Sequence, residues 1–256
     1  MRRAAAACFA VFLASAMWPK QTARTFLDDQ LTHARVKAAA QEKDAAWREL
    51  FQKKKLHFPP RQIFLQVFKR EAVLEVWASD GAAQSYVLMK SFRICASSGQ
   101  LGPKRRYGDG QVPEGFYEID QFNPGSTFYL SLRVSYPNRS DRVLGSHTNP
   151  GGDIYVHGNC VTIGCIPITD DGIKEVYWLA ALARQPGEKR IPIWIFPSRL
   201  TNDGYRALAE EHRGESELVA FWGNLKEGFD LFNKEHRIPE ICVSPEGRYL
   251  FHPAQR

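Results

Sequence analysis

The 256-residue chain carries 34 Lys and Arg against 28 Asp and Glu, a formal charge of +6, with 44 % apolar and 12 % aromatic residues. This is an ordinary globular composition, which excludes a collagen, a low-complexity disordered chain, a multi-span membrane protein and a small disulfide scaffold. The charge excess is weak and no basic–aromatic module accompanies it, so nucleic acid is not an expected partner.

Residues 1–16 read MRRAAAACFAVFLASA. Arg2 and Arg3 precede a short apolar run, and Ala14-Ser15-Ala16 has the small-x-small form of a cleavage site. The run is shorter than the roughly 20 apolar residues of a membrane span. The pattern predicts a signal peptide and a secreted, periplasmic chain, peripheral to a membrane at most; an uncleaved anchor is the second reading. Cleavage would leave Cys95, Cys160, Cys165 and Cys242. Their even number permits two bridges, one or none, and spacing does not choose among them.

Residues 17–60 are rich in Ala, Lys, Arg, Glu and Gln, with scattered Leu27, Leu31, Trp47, Leu50 and Phe51. They read as a solvated helical stalk ended by Pro59-Pro60. From 61 to 197 the period is that of strands: 62–68, 73–77, 86–96, 116–120, 128–135, 153–157 and 191–196. A Gly-rich loop occupies 99–115, a long loop runs from Pro137 to Gly152, and a helix over 171–183 follows Thr169 or Asp170 as cap. The last segment, 198–256, holds an amphipathic helix over 216–233 and a hairpin turning at Pro245-Glu246-Gly247. The helix stripe of Leu218, Phe221, Trp222, Leu225, Phe229 and Phe232 reads as core packing.

The chemistry concentrates in residues 153–169, DIYVHGNCVTIGCIPIT. An ordinary cysteine is only about 3 % thiolate at pH 7, so thiol catalysis needs a base nearby. His157 can take the proton of Cys165 and later return it to a leaving amine. Gly164 removes a side chain beside the sulfur, backbone N–H groups there can meet an oxyanion, and Thr162 can orient the surroundings. Each residue alone also fits an ordinary packed role. A metal site from His157, Cys160 and Cys165 lacks paired cysteines and a fourth ligand, so no metal or organic cofactor is expected.

HGNCVTIGC resembles the signature of the L,D-transpeptidase (YkuD-type) family, in which His-Gly precedes Ser/Thr-x-Gly-Cys. The continuation GCIPITDDGIKEVYWL resembles its YafK-like branch. SSGQLGPKRRYGDGQVPEGFYEI, SYPNRSDR and IPIWIFPSRLT follow the family pattern in order, and with FWGNLKEGFDLF the similarity spans about residues 61–252. The resemblance implies an α+β, mainly β fold: a mixed β-sheet sandwich or barrel with a few helices and a helical C-terminal extension. It implies that Cys165 is the nucleophile and His157 the general acid/base, with Gly164 and Thr162 in support. Peptidoglycan is the implied partner. The thiolate would attack the diaminopimelate carbonyl of a stem peptide and form a thioester, in the service of cell-wall organisation and cell shape.

Passing the acyl group to an amine would make a transpeptidase. Passing it to water would make an amidase that releases a stem residue or a peptidoglycan-linked lipoprotein, which would then be a further partner. A non-catalytic wall-binding module is the third reading. Gly158, Lys104, Arg105 and Arg106 are candidate substrate-binding residues, the basic run facing a stem carboxylate. Ile166-Pro167 stands where many relatives carry a polar residue after the nucleophile. Cys160 is open to three roles: a second thiol, a redox partner for Cys95, or a small packed residue.

Overall fold

The computed structural model describes residues 24–81, 84–184 and 191–253. Residues 1–16, which the sequence reads as a signal peptide, lie outside the described residues. In chain order the elements are α1 (Phe26–Gln30), α2 (Ala34–Lys53), β1 (Gln62–Phe68), β2 (Val73–Ser79), β3 (Val87–Arg93), β4 (Gly115–Asn123), β5 (Ser131–Val134) and α3 (Arg139–Leu144). They continue with β6 (Tyr155–His157), β7 (Ile166–Pro167), α4 (Thr169–Ala183), β8 (Ile191–Phe196), α5 (Asn202–Glu211), α6 (Ser216–Glu235), β9 (Glu240–Val243) and β10 (Tyr249–His252).

Eight strands form one mixed sheet in the order β3-β2-β1-β8-β4-β5-β6-β7, and β9 and β10 make a separate hairpin. The β1–β8 and β6–β7 pairs are parallel and the others antiparallel. Strand side chains alternate between faces, so β1 sends Ile63, Leu65 and Val67 into one core and Phe64 and Phe68 into another. Both sets are buried because helices cover both faces. The first core also takes residues of α2 and α4, and the second takes Trp222, Leu225, Phe229 and Phe232 of α6. The α6 stripe thus packs as its spacing predicts.

The stalk reading is corrected for α2. Val36, Ala39, Trp47 and Phe51 are buried in the first core, and the Trp47 indole donates to the Glu175 carbonyl at 3.1 Å. Lys43 pairs with Asp171 at 2.5 Å and Lys174 with Glu42 at 2.7 Å across the same contact. The buried stripe includes a small alanine and is flanked by paired charges, so few large apolar side chains mark it and the segment reads as solvated. Burying Trp47 and Phe51 is nonetheless worth about 1.5–3 kcal/mol each.

Three further differences are local. The expected loop 137–152 contains α3, started by a capping box in which the Asn138 side chain accepts from Asp141 N–H and Asp141 accepts from Asn138 N–H. Helix α5 carries no clear signal in the sequence; its Thr201 hydroxyl accepts from Gly204 N–H at 3.1 Å. Helix α4 begins at Thr169, with Ile168 at the cap position and no side-chain cap bond there. Thr169 Oγ1 accepts from Gly172 N–H within the first turn, while Asp170 is used elsewhere.

The C-terminal segment is tied in by buried polar groups as well as by aromatics. Glu114 is fully buried; it accepts from Lys69 Nζ at 2.8 Å, from Gly102 N–H at 2.7 Å and from Trp222 Nε1 at 2.7 Å. Lys69 donates also to the carbonyls of Gly102 and Val112. Every charge here has its partner, as burial requires. The two ends of the Gly-rich loop are therefore held to β1 and α6.

Candidate active site

Strands β6 and β7 lie side by side and parallel, with Val156 opposite Ile166 and His157 opposite Pro167. That register brings Cys165 alongside Tyr155 and leaves His157 two residues farther along the same strand, on the same face as Tyr155. Strand spacings put the Cα atoms of Cys165 and His157 about 8 Å apart, a separation that the two side chains can span. Two segments eight residues apart in sequence thus become neighbours through a short parallel pairing.

His157 is buried, stacked on the Phe128 ring at 4.6 Å between centroids. Its Nδ1 hydrogen-bonds the Gly158 carbonyl. A carbonyl only accepts, so Nδ1 carries the proton and Nε2 is the basic nitrogen. Gly158 is closely enclosed: a Cβ there would stand 2.5 Å from Asp170 Oδ1 and 2.9 Å from the Phe128 carbonyl. Gly158, a candidate substrate-binding residue in the sequence, thus orients the imidazole through its carbonyl.

The loop from Gly158 to Cys165 is pinned at several points. Asn159 N–H donates to Asp170 Oδ1 at 2.8 Å, and Thr162 Oγ1 donates to the Cys165 carbonyl at 2.8 Å. Gly164 adopts φ +109°, and a Cβ there would press to 3.0 Å from the Gln111 carbonyl, so no other residue fits easily. Its N–H donates to Ser98 Oγ at 2.7 Å, and Ser98 donates onward to the Gly110 carbonyl. Cys160 is bridged to Cys95, with Cα atoms 5.3 Å apart. The bridge decides among the three roles left open for Cys160 and removes it as a metal ligand. Cys165 and Cys242 are free.

The Cys165 thiol is half-buried and donates to the Asp153 carbonyl at 3.5 Å. Burial pushes it above the ordinary thiol value, the Asp153 charge adds to this, and the Tyr155 N–H opposes it. Burial also holds His157 below the ordinary histidine value, against its bond to the Gly158 carbonyl. Both shifts favour the uncharged forms, a neutral thiol beside a neutral imidazole. The imidazole is then a base waiting for a proton.

Two surface grooves, of about 780 Å³ and 590 Å³, both reach Gly152 and Asp153, whose carbonyl holds the thiol. Cys165 itself lines neither groove but a small cavity of about 30 Å³ with Ser98 and Val112. A half-buried thiol and a tautomer-fixed imidazole suit acyl transfer.

The family model of the L,D-transpeptidase catalytic domain (YkuD) matches residues 62–193. Over 190 residues the chain is 35 % identical to YafK of Escherichia coli K12, covering 73 % of each protein. The chain belongs to the L,D-transpeptidase catalytic-domain family. Peptidoglycan is the substrate on which that family acts. Among solved structures it is similar to the helical cell shape determining protein Pgp2 from Campylobacter jejuni, with TM-score 0.44, 18 % identity and coverage of 72 % of this chain and 73 % of that one. It is also similar to Bd1075 of Bdellovibrio bacteriovorus, with TM-score 0.39, 20 % identity and coverage of 67 % and 60 %.

Within this L,D-transpeptidase domain the basic run 104–106 does not act as one patch. Lys104 is buried, its ammonium bonded to Asp109 at 2.5 Å and to the Arg106 carbonyl at 2.9 Å. Arg105 faces Asp141 at 3.5 Å and lies over the Phe221 ring. Only Arg106 has an exposed side chain. Lys104 therefore shapes the loop and is spent as a carboxylate partner, because its charge is already paired.

Sequence reasoning missed Ser98, Phe128, Asp153, Tyr155 and the Asp120–Arg133 pair. Arg133 stands opposite Tyr155 on β5, and its guanidinium grips the Asp120 carboxylate with two bonds of 2.8 and 3.0 Å. Tyr155 is raised first by burial and then by Asp153, with Arg133 opposing. No local pattern marks these residues. Asp120, Arg133 and Tyr155 meet only because β4, β5 and β6 are consecutive in the sheet.

Proposed function

We propose that this protein is a secreted, periplasmic, cysteine-dependent acyl-transfer enzyme that acts on peptidoglycan stem peptides at the diaminopimelate carbonyl. The observation that carries the reading is the juxtaposition of Cys165 with His157, whose Nδ1–H is committed to the Gly158 carbonyl. Nε2 takes the thiol proton as the sulfur attacks the carbonyl carbon. The resulting oxyanion meets backbone donors of the nucleophile loop, where the Cys165 N–H is the natural candidate because Gly164 N–H is held by Ser98. Collapse breaks the C–N bond, Nε2 returns the proton to the departing amine, and a thioester remains. An amine or a water molecule, deprotonated by the same nitrogen, then takes the acyl group. The Cys95–Cys160 bridge supports export, since such bonds persist in oxidising compartments.

Incubation of the purified chain with sacculi, followed by product analysis, tests this reading. New cross-links identify an amine acceptor, and shortened stems or freed protein identify water. Cys165→Ala is expected to abolish turnover and Cys160→Ser to retain most of it. Equal loss in both would overturn the nucleophile assignment, and sacculus binding without turnover would mark a wall-binding module.

A further inference from the structure

The larger groove contains a pair of opposite charges that the chemistry above leaves unused. Asp120 falls at a register shift of the β4–β5 ladder: Ile119 is opposite Val134 and Gln121 opposite Arg133, so Asp120 is the extra residue of a bulge. Bulges re-aim side chains, often beside active sites. Here the bulge turns the Asp120 carboxylate onto Arg133, and both residues line the groove while 32 % and 41 % exposed. Asp120 takes two of the five guanidinium N–H donors and leaves three for a ligand. The carboxylate in turn keeps lone pairs for a further donor.

The position of this pair relative to the sulfur is set by register. Arg133 is opposite Tyr155, and the Tyr155 N–H meets Cys165, the residue just before β7, so the three residues form a row across β5, β6 and the approach to β7. Two strand spacings separate the Arg133 and Cys165 Cα atoms by about 10 Å. A cation and an anion fixed side by side at that distance match one type of ligand head: an ammonium and a carboxylate on a single carbon.

We propose that Asp120 and Arg133 form a subsite for the free amino-acid end of the diaminopimelate side chain, Arg133 receiving its α-carboxylate and Asp120 its α-ammonium, while Cys165 meets the carbonyl at the other end. This rests on the acyl-transfer reading and names what orients its substrate. The pair already holds itself in place, so little side-chain entropy is lost when the ligand docks.

The test is binding to the Cys165→Ala chain, which cannot turn over, read by calorimetry with three soluble stem tetrapeptides: one with the free amino-acid end, one with its carboxyl amidated and one with its amine acetylated. The free form is expected to bind about tenfold more tightly than either blocked form, the scale of a charge-assisted contact. Adding Arg133→Gln should weaken the free form about tenfold and leave the amidated form within twofold. Adding Asp120→Asn should do the same with respect to the acetylated form. Arg133→Lys, which keeps the charge, should recover part of the affinity and guards against a folding defect in Arg133→Gln. Equal binding of the three peptides, or a parallel loss for all three in the variants, would overturn the subsite. Turnover of the free peptide by the unmutated chain is measured separately: its absence would count against acyl transfer, and the binding preference would still decide the subsite.

Discussion

Ser98 accepts a hydrogen bond from Gly164 N–H at 2.7 Å, and so reaches across 66 residues of chain to the residue before Cys165. Because the same hydroxyl donates to Gly110, it locks the loop that carries Cys165 to the Gly-rich loop. Ser98→Ala should leave the buried Gly164 N–H without its partner, at a cost of about 1–3 kcal/mol. A fall of about tenfold in sacculus turnover is expected with the thiol still titratable, and Ser98→Thr should retain most activity. Unchanged turnover and melting temperature in the alanine variant would show the bond to be idle.

The Cys95–Cys160 bridge closes a separation of 65 residues. In the chain-entropy treatment a loop of that size is worth about 4 kcal/mol. Replacing both cysteines by serine should lower the melting temperature by roughly 10 °C for a chain of this size, while most turnover below the melt is retained, as for Cys160→Ser. A melt unaffected by the double substitution, or by dithiothreitol, would show that the bridge contributes nothing to stability.

The neutral resting pair has a pH signature. Alkylation of Cys165 by iodoacetamide should climb through the alkaline range with a midpoint above the ordinary thiol value, because burial raises that thiol. Turnover, which needs only a neutral imidazole, should persist below pH 6.5, since burial lowers His157. A Cys242→Ser background removes the other free thiol among the described residues. Fast alkylation on a plateau below pH 7 would instead mean a thiolate–imidazolium pair.

Asp141 caps α3 from a site nearly closed to water, and burial pushes its carboxyl up to about 6. The folded state thus holds this proton more tightly than the unfolded chain does. Its favourable contribution is complete below about pH 4 and is lost as pH rises through about 6, a swing of roughly 3 kcal/mol. Asp141→Asn, which can still accept from Asn138 N–H, should flatten that part of the melting profile and be at least as stable as the parent at pH 8. A profile that keeps its slope between pH 4 and 6 would assign the slope to another group.

Much of the fold was legible because local periodicity reports local burial. The alternation of Ile63, Leu65 and Val67 with Phe64 and Phe68 marks a strand buried on both faces, and the α6 stripe marks a helix over an apolar surface. Helix α2 was misjudged for the complementary reason: a small residue and paired charges carry its contact with α4, and neither registers as an apolar period. Helices α3 and α5 are short, and their caps outweigh their hydrophobic pattern.

The chemical vocabulary of this protein, a cysteine after glycine with a histidine eight residues before it, is written in adjacent residues and so was determined by the sequence itself, together with the family. Which histidine nitrogen is basic, which cysteine is spent in a bridge, that Lys104 is already paired, and that Asp120 and Arg133 stand in a row with the sulfur were decided only by tertiary structure. Those properties depend on partners drawn together by strand register and burial, and no stretch of neighbouring residues encodes a distance between strands.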